Sequence, residues 1–137
     1  MGQLMRLTSS MNLGVTLGQM LPGRISGVGH SLGGGLNTVA ALRGNFPAVN
    51  FNAAGVHLDT ATELGINLNG AMRLVVNYSE PGDFLTRGVN RTYLAPSTDG
   101  QQVLLPSADT LPLGINRHRM VNVIPSIQKL LKENGCN

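Results

Sequence analysis

The chain has 137 residues, 42% of them apolar and only 12% charged. This is enough apolar chain for one core, so composition excludes a disordered protein and predicts a single domain over residues 1–137. The net charge is +3, from 10 basic and 7 acidic residues that form no run. No aromatic stacking set accompanies them, so nucleic acid is not an expected partner. A charge content of about half the usual 25% implies either much buried area per residue or a face that is covered. The cover would be a partner chain or second copy, more of the same protein, or a lipid surface.

Cys136 is the only cysteine, so no internal disulfide forms, and it reads as a thiol on the C-terminal tail. No apolar run is long enough to span a membrane. Thr8, Ser9, Ser10 and Asn12 interrupt any leader core behind Arg6. The expected location is therefore cytoplasmic, with export by a specialised machine as the other route.

Leu4, Leu7, Met11 and Val15 recur at helical spacing and predict a helix over 3–20. Gly14 and Gly18 either weaken it or let it pack closely on a neighbour. Pro22-Gly23 marks a turn. Arg24 to Gly29 predicts a strand, Leu32 to Leu42 a helix, Ala48 to Asn52 a strand and 57–65 a short helix. Met72 to Tyr78 is the strongest strand, closed by the turn residues Glu80-Pro81-Gly82-Asp83. Residues 91–105 predict a hairpin, with arms Thr92-Tyr93-Leu94 and Val103-Leu104-Leu105. Val123, Ile124, Ile127, Leu130 and Leu131 mark a last helix, with Asn122 as its N-cap, Pro125 in its first turn and Gly135 at its stop. Alternating strands and helices predict an α/β fold, a mostly parallel sheet with flanking helices.

The sharpest motif is Gly29-His30-Ser31-Leu32-Gly33-Gly34-Gly35, between a predicted strand and a predicted helix. A serine on a tight strand-to-helix turn is held clear of its surroundings, and the strained backbone requires small residues nearby. Gly29 and Gly33 stand two residues to either side of Ser31. The N–H of Leu32, at the start of the helix, is an oxyanion donor in such a turn. No lysine follows the glycines, which argues against a phosphate loop. A third glycine is missing for a dinucleotide fingerprint. No cofactor and no metal is expected.

Residues 25–55, from Ile-Ser-Gly-Val-Gly-His-Ser-Leu-Gly-Gly-Gly through Phe-Asn-Ala-Ala-Gly, resemble the α/β-hydrolase lipases and the bacterial phospholipase-type lipases. The likeness extends more loosely through Asp83 and His118 to the final helix. It implies a truncated or minimal α/β-hydrolase-like fold and hydrolysis of lipid esters through an acyl-enzyme on Ser31. It also implies the chain order serine, acid, histidine. Only His57 and His118 follow Ser31, and the base of such lipases sits on a late loop, which favours His118. His57 reads as a loop or first-turn histidine, and His30 as a packing residue of the elbow. Asp83 follows the best strand at the edge where ligands bind parallel sheets, which favours it as the acid. Glu80 is its rival on the same loop, and Asp59, Asp99 and Asp109 rank lower.

The resemblance further implies several strands ahead of the elbow, and a second oxyanion donor from a loop among them. Only about 23 residues precede the elbow strand here. Three readings follow: the later half of a longer hydrolase, a minimal lipase, or a non-catalytic or partner-completed fragment that serves as a binding subunit.

Overall fold

The computed structural model describes residues 2–87, 98–107 and 115–136. In chain order the elements are α1 (Gly2–Met20), β1 (Gly27–His30), α2 (Leu32–Gly44), β2 (Ala48–Phe51), α3 (Leu58–Glu63), a 3-10 turn (Leu68–Gly70), α4 (Ala71–Leu74), β3 (Val75–Ser79), α5 (Phe84–Arg87), β4 (Gln101–Leu104), α6 (Ile115–His118) and α7 (Met120–Glu133). The strands form one parallel sheet in the order β1-β2-β3-β4. With its flanking helices this is an α/β fold, as the alternation predicts.

Glycine decides how closely α1, α2 and β1 stack. A Cβ on Gly14 would lie 2.2 Å from the Ala40 carbonyl oxygen, and one on Gly18 2.1 Å from that of Gly44. The two helices therefore touch backbone to backbone, and close packing is the reason for glycine within α1. Below them, Leu7, Val39, Val56, Ala61 and Ile66 form one buried cluster. Ala40, Ala41, Phe46, Ala48, Ala71 and Val75 form another.

The sheet face that buries alternate residues changes character along the strands. Its first row is apolar, Ala48 beside Val75, and its second is amide, Asn50 beside Asn77. Asn50 accepts from Asn37 Nδ2 at 2.8 Å and donates to Thr38 Oγ1 and Asn77 Oδ1, each at 3.0 Å. Asn77 donates onward to the Asp99 carbonyl at 2.7 Å. A buried polar row is tolerated when its groups are bonded in this way.

Several predicted elements shift. Met72 to Leu74 belong to the end of α4, so the strongest strand starts at Val75. The predicted hairpin is corrected at its second arm, because Gln101–Leu104 pairs with β3 in parallel and continues the sheet. Its first arm lies outside the described residues. α7 begins at Met120, and its N-cap is Arg119, not Asn122. The Arg119 carbonyl takes the N–H groups of Asn122 and Val123, while the Asn122 side chain turns back to the Asn116 carbonyl. Pro125 therefore falls in the second turn of the helix. Its missing N–H faces the carbonyl of Val121, and that residue is solvent-exposed. Gly135, with φ 73°, ends the helix through bonds from Gly135 N–H to Lys132 and from Cys136 N–H to Leu131.

Candidate active site

Ser31 lies between β1 and α2 with φ 56° and ψ −127°. A positive φ strains a residue with a Cβ and persists only where the surroundings enforce it. Here they do. The Ser31 N–H donates to the Phe51 carbonyl at 3.2 Å, and its own carbonyl accepts from Gly34 and Ala54 at 3.0 and 2.9 Å. Both peptide groups are thus tied to β2, the segment after it and the first turn of α2. Leu32 opens that helix, and its N–H has no carbonyl a turn back to bond.

The glycines do not all serve the turn. A Cβ on Gly29 would meet the Gly33 carbonyl at 2.6 Å and Gly34 Cα at 2.7 Å, so Gly29 allows the close approach of α2. A Cβ on Gly33 would meet nothing within 4 Å, which corrects the expectation that its size matters. The steric demand falls on Gly34, whose Cβ would sit 2.5 Å from that of Ala53. The reason is rotational: the helix turns Gly34 toward the sheet and leaves Gly33 at the surface.

Ser31, His118 and Asp83 stand in hydrogen-bonded series across 87 and 35 residues of chain. His118 Nε2 is 2.7 Å from Ser31 Oγ, and His118 Nδ1 is 2.8 Å from Asp83 Oδ1. A carboxylate only accepts, so the imidazole proton belongs on Nδ1, and the Nε2 lone pair faces the serine hydroxyl. Asp83 is fully buried. Its second oxygen accepts from the N–H and hydroxyl of Thr86 at 2.8 and 2.7 Å, at the start of α5. The aspartate thus caps one helix and orients one imidazole, with an oxygen for each. The His118 ring is packed between His30, at 4.9 Å between centroids, and the edge-on ring of Phe84, also at 4.9 Å.

The other candidates lie elsewhere. His57 caps α3, its Nδ1 accepting from Asp59 N–H, and Asp59 is exposed beside it. Asp99 offers its carbonyl to Asn77, and burial raises its carboxyl above the usual range. Asp109 lies outside the described residues. Glu80 is buried, and its carboxylate lies 3.7 Å from Arg117 Nη1. Burial raises the Glu80 pKa, against the lowering influence of Ser126 and Arg117. Arg117 Nη1 also donates to the Pro81 carbonyl and to Ser107 Oγ at 2.8 and 2.6 Å. The loop carrying Asp83 and the turn carrying His118 are therefore joined by the neighbouring pairs Glu80–Arg117 and Asp83–His118 and by the bond from Arg117 to the Pro81 carbonyl.

Sequence reasoning passed over Thr86, Arg117 and Asn52. The spacing Asp-x-x-Thr after a turn is a capping signal and reveals the first. The period-2 polar residues Asn50 and Asn52 in an otherwise apolar run flag the third. Arg117 carried no local signal. Among the described residues, no cluster of His, Cys, Asp or Glu has the composition to hold a metal.

The fold and this set of contacts define an α/β domain with a serine, a histidine and an aspartate at the carboxyl edge of a parallel sheet. Its family follows from comparison with known proteins. Residues 4–112 match the Tle-like phospholipase domain of the phospholipase-like family, and the chain belongs to that family. It is also 43% identical over 88 residues to the extracellular phospholipase A1 of Serratia liquefaciens. That match covers 61% of this chain and 28% of the relative, so the chain spans less than a third of that protein. The family match includes Ser31 and Asp83 and ends before His118.

Proposed function

We propose that this α/β-hydrolase-like domain hydrolyses carboxylic esters of lipids, phospholipid or acylglycerol, through an acyl-enzyme on Ser31. The observation that carries the reading is the series Asp83–His118–Ser31, with the serine on an enforced positive-φ turn. Family membership supports lipid as the substrate class. His118 Nε2 takes the Ser31 proton as Oγ attacks the ester carbonyl carbon. The Leu32 N–H stabilises the resulting oxyanion. Collapse breaks the ester C–O bond, and His118 returns its proton to the departing alcohol. Water then attacks the acyl-enzyme with His118 again as base, releasing the acid and restoring the serine hydroxyl. Asp83 holds the imidazole in the required tautomer throughout.

The test is Ser31→Ala measured on a short p-nitrophenyl ester and on phospholipid vesicles. The expected loss is on the order of 10⁶ in rate, with the melting temperature retained. Persistent hydrolysis by the alanine variant would overturn the reading.

A second reading has the domain completed by further polypeptide, from a partner, a second copy or more of the same protein. β1 is at the edge of the sheet, and Val28 on it is 72% exposed. A parallel sheet is ordinarily covered, and an open edge invites another strand. A missing oxyanion donor costs roughly 10²–10³ in rate. A fluorophosphonate adduct on Ser31 of the isolated chain favours the enzyme reading. No adduct, together with a stable complex with another chain, favours the second.

Among the described residues no helix is long and apolar enough to cross a membrane. The expectation of a cytoplasmic protein gains no support, and the description of the Serratia relative as extracellular favours export. Contact with a lipid surface remains part of the proposal and is read by vesicle co-sedimentation.

A further inference from the structure

His118 stands on α6, a single turn of four residues. So short a helix cannot fix a side chain by its own hydrogen bonds. Two side chains from the strand ends grip its backbone instead. His30 Nε2 donates to the His118 carbonyl at 2.6 Å, and Asn52 Nδ2 donates to the Arg117 carbonyl at 2.9 Å. These carbonyls are consecutive in the chain. His30 is the last residue of β1, next to Ser31, and Asn52 is the first residue past β2. The peptides around His118 are thus fastened to the two strands that carry and brace the serine.

Asn52 has a second arm. Its Oδ1 accepts the Glu80 N–H at 2.8 Å, at the start of the loop that carries Asp83. Its own N–H donates to the Tyr78 carbonyl at 2.9 Å. It is fully buried and has φ 43°, a conformation that asparagine tolerates better than most residues. One carboxamide therefore ties the aspartate loop to the histidine turn. An aspartate at this position could accept from Glu80 but would have no proton to offer Arg117.

We propose that His30 and Asn52 are positioning residues, which set the Ser31-to-His118 distance through the backbone of residues 117 and 118. The inference rests on the acyl-enzyme reading given above. Neither side chain bonds to Ser31 Oγ or to the His118 ring nitrogens, and His30 meets that ring only by packing, at 4.9 Å between centroids. A displacement of about 1 Å between nucleophile and base costs on the order of 10²-fold in rate.

The experiment compares His30→Phe, His30→Gln and Asn52→Asp with wild type and Ser31→Ala. It reads kcat and KM on a soluble p-nitrophenyl ester, the rate of fluorophosphonate labelling, and Tm. His30→Phe keeps a ring but loses the donor, and kcat is expected to fall roughly 10- to 100-fold with KM within about twofold. His30→Gln restores an N–H at similar reach and is expected to recover most of that loss. Asn52→Asp is expected to resemble His30→Phe. The double variant His30→Phe/Asn52→Asp should fall by less than the product of the two, because both act on adjacent peptide groups of one turn. Wild-type kcat in a folded His30→Phe overturns the proposal, and so does a His30→Gln as impaired as the phenylalanine variant. If His30→Phe does not fold, the other two decide. A recovered His30→Gln with a slowed Asn52→Asp supports the clamp, and equal rates overturn it. Full activity in Ser31→Ala instead defeats the acyl-enzyme reading, and this inference with it. Loss in Ser31→Ala alone defeats only the clamp.

Discussion

Thr86 shows how much of the site rests on groups beside the reacting ones. Its hydroxyl and N–H hold one oxygen of Asp83, and the other oxygen meets His118. Thr86→Val removes the hydroxyl and keeps the N–H. The loss of one hydrogen bond to a carboxylate is worth about 1.5–3 kcal/mol at most, so kcat is expected to fall several-fold with KM little changed. Steady-state kinetics on a soluble ester check this. Glu80 gives a prediction in pH. Its pKa in the folded protein is raised by burial from the ordinary value of 4.5. The folded state therefore binds the proton more tightly than the unfolded state does. That contribution to stability is full below about pH 4.5 and is lost as pH rises through the folded value. Glu80→Gln carries no such charge. Its stability relative to wild type is expected to grow with pH above 4.5 and then level off, as read by denaturant melts across pH. A flat difference would count against burial as the controlling influence.

Among the elements, the contact between α1 and α2 is set by glycine more than by apolar side chains. Gly14→Ala places a methyl where a carbonyl oxygen lies 2.2 Å away, and the helices must separate. The expected cost is about 1–3 kcal/mol, seen as a lower midpoint in a thermal melt. Gly33→Ala is the matching control. Its added methyl, on α2, meets open space, and the melting midpoint should change little. The helix over 3–20 was legible because its apolar spacing is regular. The first turn of α7 was not, because its N-cap is a backbone-only cap at Arg119 and the capping-type residue Asn122 bonds to Asn116. Capping preferences describe a helix end in isolation, whereas here the preceding turn supplied the partner.

For the molecule as a whole, the open side of β1 bears on assembly. If another strand seats there, a charge introduced at Val28 should weaken self-association or partner capture and leave fluorophosphonate labelling of the isolated chain unchanged. Light scattering and labelling on the same Val28→Lys preparation check both. The parallel order of the sheet was legible from the alternation of strands and helices, β4 excepted. Its pairing with β3 depends on a return path through chain that no local pattern reports.

The order serine, aspartate, histidine is what the family resemblance implies; the sequence by itself determined the local features, the glycine-flanked serine between strand and helix and the apolar periods of the helices. These follow from spacing and steric demand within a few residues. The tertiary structure alone decided which carboxylate meets His118, which glycines carry a close contact, and what holds the histidine turn in place. Asp83 and Glu80 share one loop and one chemistry. Only the packing of that loop against α6 directs Asp83 to the imidazole and Glu80 to Arg117, because those contacts span about 35 residues and depend on the sheet that brings both loops to its carboxyl edge.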